Sequence, residues 1–370
     1  MKKVLFLGFD NKLGLTCHFV DWIIALDKVV NNELRIIFVT LTKEQDIGLH
    51  QKLKNLQFTD VITVKTHDDL QKLEFIRKVD IIHCHGFKQV ASVLKIKKRD
   101  RLRFRTVITM HAFRHGSWYR PFYTNLVSLL FINKVDVVHF LSHVSKDEFL
   151  KNNLFYTRSN RSFVFPLGCD KEEFLQDESI EYLEFYKELS ESRKNIIYLA
   201  EFSPRKQHYW LINNIKDILI QEDAKLWLFG GGTGKEKVIK YVEENGLSKY
   251  IRLPGRVDRR FIPTLLKKMN LAVCTSKSET FGHVIMEPMF AGIPVITFNV
   301  GTASYLIRDF TNGFVVLNKL EHENLRNAVE FLLKNKDAAI TMGRNSKLFA
   351  NQWLTWEATS KNIVDMYCSM

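Results

Sequence analysis

The chain has 370 residues, 46% of them hydrophobic, and a formal charge of +13. That length is more than twice a usual domain and predicts two domains, each able to bury a core, while the composition excludes a disordered or low-complexity chain. No run approaches the roughly 18 consecutive apolar residues of a membrane span, and the five cysteines at 17, 84, 169, 274 and 368 have no paired spacing, which excludes a disulfide framework and points to a reducing compartment.

The charge is uneven. Residues 1–170 carry 27 Lys and Arg against 16 Asp and Glu, and the remainder 27 against 25. A basic first half suits an anionic membrane surface, nucleic acid or anionic substrates, and net charge does not choose among them. The opening MKKVLFLGFD has too short an apolar run for a secretory signal and reads as a first strand.

In chain order, residues 3–8 form a buried-strand pattern, followed by a loop over 9–15 that contains Gly14 and a helical stretch over 16–30. Strand patterns recur at 35–40, 61–64, 79–83, 106–111, 135–141 and 163–166 with helix-length segments between most of them, which predicts a doubly wound α/β domain. His83 and His85 flank Cys84. A strand puts the two histidines on one face and the cysteine on the other, so they read as structural rather than as zinc ligands. Residues 170–191 are acidic and polar and mark the crossover. The alternation then restarts at 195–200, 225–229, 251–253, 271–275, 294–298 and 313–316. The expected architecture is α/β, with two Rossmann-like doubly wound domains facing a cleft.

The most informative stretch is residues 271–300, LAVCTSKSETFGHVIMEPMFAGIPVITFNV: apolar strand, polar loop, glycine turn, short helix and apolar strand. A loop leading from a strand's carboxyl end into a helix N-terminus binds anions. Glu279 and Glu287 would repel a bare anion there. An ionised carboxylate only accepts hydrogen bonds, so the pair suits a ligand that also presents hydroxyls, such as a sugar nucleotide. Pro288 is expected near the helix start, where its missing N–H costs little.

The two glutamates with seven residues between them, and Ser276, Phe281-Gly282, Gly292, Pro294-Val295 and Gly301 at matching offsets, resemble the signature of retaining GT-B glycosyltransferases of family 4 (glycosyl transferases group 1), of the bacterial surface-polysaccharide type. FPLGCDKEEF (165–174), DVVHFLSHVSKDEF (136–149) and WLTWEATSKNIVDMY (353–367) resemble that family's interdomain segment, the strand and helix before it, and its terminal helix. The resemblance is clear from residue 135 onward and coarse before it. It implies an N-terminal acceptor domain over 1–170, a linker over 171–192, a nucleotide-sugar-binding domain over 193–352, and a helix over 353–370 that crosses back to the first domain.

The same resemblance implies the roles. Glu287 would hold the ribose hydroxyls and Glu279 the transferred sugar, while Phe281, Gly282 and His283 open the helix that meets the diphosphate or sugar. The family's Gly-Arg-Leu-x-x-x-Lys pattern falls on residues 200–206, where Lys206 matches but Glu201 reverses the charge of the arginine; Arg205 is the substitute. Gly14, His111 near the reacting sugar, and Arg256 near the base complete the set, with Glu279, His111 and Lys206 as the catalytic residues. No protein nucleophile, cofactor or metal is expected, and the chain has no Asp-x-Asp triplet for a metal-bridged diphosphate. GGGTGK (230–235) fails as a P-loop and reads as a strand-to-helix turn.

The function so implied is transfer of a sugar from a nucleotide donor to a hydroxyl of a lipid-linked glycan in surface polysaccharide biosynthesis. The competing readings are a GT-B sugar-nucleotide epimerase and a non-catalytic glycan- or nucleic-acid-binding relative. The basic run 95–105, with Arg114, Trp118, Tyr119, Arg120, Phe122 and Tyr123 beyond it, suits peripheral contact with an anionic membrane from a cytoplasmic location; no nucleic-acid motif accompanies it.

Overall fold

The computed structural model describes residues 1–8, 13–30, 32–41, 53, 55–64, 69, 74–111, 125–127, 129–157, 161–175, 178–181, 183–192, 194–279, 282–317 and 321–370, with only the backbone of 13–18, 40 and 41. It divides into two compact units, residues 1–168 with 355–370, and residues 169–354. The segment expected as a linker packs within the second unit: Glu188 pairs with Lys225 and, at 2.6 Å, with Arg252, and Phe174 stacks on Phe290 at 5.4 Å.

The first unit contains β1 (Lys2–Leu7), α1 (Leu13–Val29), β2 (Leu34–Leu41), β3 (Thr59–Val64), β4 (Ile81–Cys84), α2 (Phe87–Arg99), β5 (Arg105–Met110), β6 (Val137–Phe140), α3 (His143–Asn152) and β7 (Arg161–Val164). The second contains α4 (Tyr186–Glu191), β8 (Asn195–Leu199), α5 (His208–Gln221), β9 (Lys225–Phe229), α6 (Lys235–Glu244), β10 (Ile251–Gly255), α7 (Ile262–Lys267), β11 (Leu271–Cys274), α8 (His283–Ala291), β12 (Val295–Phe298), α9 (Ala303–Leu306), β13 (Gly313–Val316), α10 (His322–Lys334) and α11 (Lys336–Trp353). The terminal α12 (Trp356–Cys368) returns to the first.

The first sheet has the order β3-β2-β1-β4-β5-β6-β7 and the second β10-β9-β8-β11-β12-β13, with every pairing parallel. Strands covered on both faces must be apolar throughout, and Val4 to Leu7 and Leu226 to Phe229 are at most 2% exposed. The chain order reverses between β1 and β4 and again between β8 and β11. Loops at the carboxyl ends of those strands diverge and leave a crevice, which is where such sheets bind ligands.

Within the first unit, α12 is fastened to the sheet by a buried hydrogen-bond chain. Tyr367 Oη meets His83 Nδ1 at 2.5 Å, His83 Nε2 meets Thr109 Oγ1 at 2.6 Å, Thr109 Oγ1 meets His139 Nδ1 at 2.9 Å, and His139 Nε2 reaches the Phe165 carbonyl at 3.0 Å. A carbonyl only accepts, so His139 Nε2 donates to it. With neutral rings the remaining directions follow: Thr109 donates to His139, His83 to Thr109, and Tyr367 to His83. Trp356 adds a stacked contact on Trp22 at 5.7 Å.

This packing sets the stability of the first unit. A Cβ at Gly168 would lie 2.4 Å from the Trp356 nitrogen and 2.6 Å from the Thr355 carbonyl carbon, so Gly168→Ala is expected to destabilise by about 1–3 kcal/mol, read as a lowered midpoint of thermal unfolding. Burial holds the imidazoles of His83, His111 and His139 below their ordinary range, to about 3 for His111 and about 4 for His139. The unfolded chain therefore takes up protons near 6.5 that the folded unit refuses until lower pH, and stability is full above pH 6.5 and lost as pH falls toward 4. Unfolding by urea at stepped pH checks the slope. Tyr367→Phe, which leaves His83 Nδ1 without its donor, is expected to lower stability by about 1–3 kcal/mol at pH 7.5.

Candidate functional site

The loops that follow β8 and β11 are the two at the reversal point of the second sheet, and they carry Arg205, Lys206 and Glu279. Lys206 Nζ forms an ion pair with Glu279 Oε1, with side chains 9% and 11% exposed. Arg205 donates from Nη1 to the Ser278 carbonyl at 2.6 Å and lies 3.7 Å from Glu279 Oε2. Backbone bonds hold the two loops in register: Lys277 N donates to the Arg205 carbonyl at 2.8 Å, and Gln207 Nε2 to the Thr275 carbonyl at 2.8 Å. Below them the buried Tyr198 hydroxyl bonds the Lys206 carbonyl at 2.9 Å and Ser276 Oγ at 3.0 Å. A cation and a carboxylate nearly withdrawn from water thus meet here, with the exposed Arg205 beside them. Charges in such surroundings interact far more strongly than on a surface.

Gly282, at φ +90°, is the N-cap of α8, and Ile285 and Met286 both donate to its carbonyl, which tightens the first turn. Gly301 lies against the acidic loop: a Cβ there, at φ +57°, would be 3.1 Å from the Glu279 carbonyl oxygen and 3.2 Å from its Cβ. The His283 ring is held down to about 4 by burial, so it is neutral at physiological pH and brings no positive charge to the helix end. Pro288 falls sixth in α8 rather than in its first turn, so its missing N–H removes an intrahelical bond to the Val284 carbonyl.

One turn along α8, Glu287 is 14% exposed and lies 3.8 Å from Arg259 Nη1, whose Nη2 is 3.4 Å from Glu173 Oε2. Burial raises the Glu287 carboxyl to about 7; Arg259 opposes that rise and Glu173 adds to it. The Gly230–Gly231 turn is held between the ends of β8 and β10, with Gly230 N donating to the Gly255 carbonyl at 2.8 Å and Phe202 N to the Gly231 carbonyl at 2.8 Å. The Arg256 side chain covers Gly231, where a Cβ would lie 2.3 Å from its Nε. Glu201 is exposed, and a Cβ on Gly232 would lie 3.0 Å from its Cγ.

Of the residues singled out from sequence, Arg205, Lys206 and Glu279 therefore make one cluster. Gly282, His283 and Glu287 follow on α8, and Arg256 stands on the loop after β10. Phe281 lies outside the described residues. Gly14 and His111 belong to the first unit. Gly14 is in the first turn of α1, which begins at Leu13, three residues earlier than the helical stretch read from sequence. His111 Nε2 meets His85 Nδ1 at 2.8 Å, next to the first sheet's reversal point, where Gln89 accepts from His85 N at 2.7 Å and donates to the Gly8 carbonyl at 2.7 Å. Sequence reading missed Arg259, Glu173 and Tyr198. Each reaches the site through tertiary packing, and no local pattern marks it.

Two family models match the chain, Glycosyltransferase Family 4 over residues 61–173 and Glycosyl transferases group 1 over residues 181–349. An uncharacterised glycosyltransferase of Methanocaldococcus jannaschii is 26% identical over 300 residues, 78% of this chain and 75% of the relative. A GDP-mannose-dependent alpha-(1-6)-phosphatidylinositol monomannoside mannosyltransferase of Mycobacterium tuberculosis is 26% identical over 240 residues, 62% of this chain and 61% of the relative. Among solved structures, Anabaena HepE in complex with UDP matches at TM-score 0.75 and 19% identity over the whole of both chains. A glycosyltransferase from Rickettsia africae matches at 0.76 and 16%, over 99% of this chain and 98% of the other. The chain belongs to the group 1 glycosyltransferases and has their two-domain α/β GT-B fold.

Proposed function

We propose that the protein is a retaining, metal-independent glycosyltransferase that moves a sugar from a nucleotide donor to a hydroxyl of a lipid-linked glycan in surface polysaccharide biosynthesis. The observation that carries this reading is the Lys206–Glu279 pair with Arg205, at the reversal point of the second sheet and beside the start of α8. A bound diphosphate would be met by Lys206, Arg205 and the positive end of the α8 helix. Glu279, now sharing Lys206 with the phosphates, would accept from hydroxyls of the transferred sugar, and Glu287 from those of the ribose. Arg205 supplies the charge lost where Glu201 stands.

In the chemical step the bond between the anomeric carbon and the departing phosphate oxygen breaks, the acceptor oxygen bonds that carbon on the same face, and the acceptor proton passes to the departing phosphate. The protein's contribution is placement and stabilisation of the charge that develops on the leaving group. Two complexes of HepE, with UDP and with UDP-glucose, support a nucleotide-sugar donor. The mannosyltransferase relative, which acts on a phosphatidylinositol mannoside, supports a lipid-linked acceptor.

Peripheral membrane contact is the part of this reading that rests on charge. Lys95, Lys98, Arg101, Arg103 and Arg105 are exposed and have no carboxylate partner among the described residues, whereas Lys97 pairs with Asp136 and Arg99 with Asp100. Each free cation near anionic lipid is worth about 1 kcal/mol. Among the described residues no helix is long and apolar enough to cross a membrane. The aromatic run beyond residue 111 lies outside the described residues.

Thermal-shift measurements with UDP, GDP, ADP and CMP should single out one nucleotide; no stabilisation by any of them would overturn the donor assignment. With that donor, Glu279→Gln is expected to lower kcat by roughly a hundredfold or more at little cost in nucleotide affinity. Turnover of the nucleotide sugar in the absence of acceptor would instead indicate an epimerase. Sedimentation with vesicles tests the membrane contact: binding to anionic but not neutral vesicles is expected, and equal behaviour toward both rejects it.

A further inference from the structure

Glu287 occupies an unusual position for a charged group. Its carboxylate is 14% exposed, yet among the described residues it accepts no hydrogen bond. The groups that face it come from three elements. Arg259 stands on the turn after β10; Glu173 and the Cys169 thiol come from the turn over residues 169–174; and His283 stands one turn earlier on α8 itself. Glu173 opposes ionisation, and the His283 ring is neutral. The guanidinium of Arg259 is thus the only positive charge within ion-pair reach of Glu287 among the described residues, at 3.8 Å, and it is tethered from its other side by Glu173 at 3.4 Å.

We propose that Arg259 is a positioning residue for the donor: fixed by Glu173, its guanidinium keeps the Glu287 carboxylate charged and so able to accept hydrogen bonds from the ribose hydroxyls. The inference rests on the ribose role given to Glu287 above and adds what makes that role work. A neutral carboxyl would offer one of its oxygens as a donor and lose half of a two-hydroxyl clamp, whereas the ionised group accepts at both. At 3.8 Å the guanidinium acts by charge without a hydrogen bond, so the carboxylate's lone pairs stay available to the ligand. The geometry suits arginine in particular. Its fork places Nη1 toward Glu287 while Nη2 faces Glu173, and one side chain is oriented by one acid while serving the other. Arg259 touches neither the ribose nor the reacting atoms in this account; it acts through Glu287.

Donor binding is then coupled to loss of a proton. Burial places the Glu287 carboxyl at about 7 even with Arg259 present, so nucleotide affinity is expected to fall as pH drops below 7, by up to tenfold per unit, and to level off above it. Removal of the guanidinium moves that midpoint upward, and removal of the Glu173 charge moves it downward.

The test is calorimetric titration of the full chain with whichever of UDP, GDP and ADP stabilises it most, from pH 5.5 to 8.5, for the wild type, Arg259→Gln, Arg259→Lys, Glu173→Gln and Glu287→Ala, with circular dichroism confirming that each variant is folded. Arg259→Gln is expected to bind about tenfold more weakly at pH 7 and to recover most of that loss by pH 8.5. Arg259→Lys should restore most of the affinity at pH 7, and Glu173→Gln should extend tight binding to lower pH. A purely structural role for Arg259 would weaken binding equally at every pH, and that result overturns the inference. If Arg259→Gln keeps the wild-type profile while Glu287→Ala loses affinity, the inference fails and the ribose role stands. If Glu287→Ala binds as tightly as wild type, both fail.

Discussion

The ion pair between Lys206 and Glu279 is the contact around which the second unit's candidate site is built. It joins the loops that leave β8 and β11, two strands that are neighbours in the sheet although more than seventy residues separate them in the chain. With both side chains about 10% exposed, each charge needs the other: a buried pair gains little over an apolar contact, but one member left alone is costly. The loops are accordingly held by backbone bonds and by Tyr198 beneath them. Before a donor arrives the site is electrostatically closed on itself. In the proposed function a diphosphate and a sugar together would satisfy both members, the phosphates taking the lysine and the hydroxyls the glutamate, so a ligand that carries both chemistries would replace the pair without stranding either charge.

Glu287 solves the same problem differently. It has no buried lysine; its counter-ion is the half-exposed Arg259, which a second acid holds in place. The two glutamates of the signature are thus held in unlike electrical surroundings, one saturated by a salt bridge and one left with unused acceptor capacity. That difference fits the proposed roles, in which one group would be freed by the ligand and the other would wait for it.

The first unit is governed by neutral histidines. Burial keeps His83 and His139 uncharged, and the directional chain from Tyr367 to the Phe165 carbonyl satisfies every nitrogen of the two rings while fastening α12 onto the sheet. His85 and His111 lie beside it at the ends of β4 and β5, also held neutral. Uncharged imidazoles packed at 5 Å or less from one another, as His83 and His85 are at 4.5 Å, are a stable arrangement only while none is protonated.

Sequence alone was sufficient for the architecture, because parallel strands buried on both faces must be written as short apolar runs, and such runs are in the chain where the thirteen strands among the described residues are found. It was sufficient as well for the loop around Glu279 and Gly282, since a glycine turn into a helix and a spaced pair of acids are local patterns. It could not decide the partners. Lys206 and Glu279 were legible separately, but that they neutralise each other depends on the sheet order, in which β8 lies against β11. Arg259, Glu173 and Tyr198 carry no local signal at all: an arginine in a turn, an acid in an acidic segment and a tyrosine in a strand are ordinary until folding places them against Glu287 and Lys206. Side-chain identity and spacing set which groups are present, and tertiary packing alone set which charges are buried and what neutralises them, because burial and Coulomb energy depend on distance through space rather than along the chain.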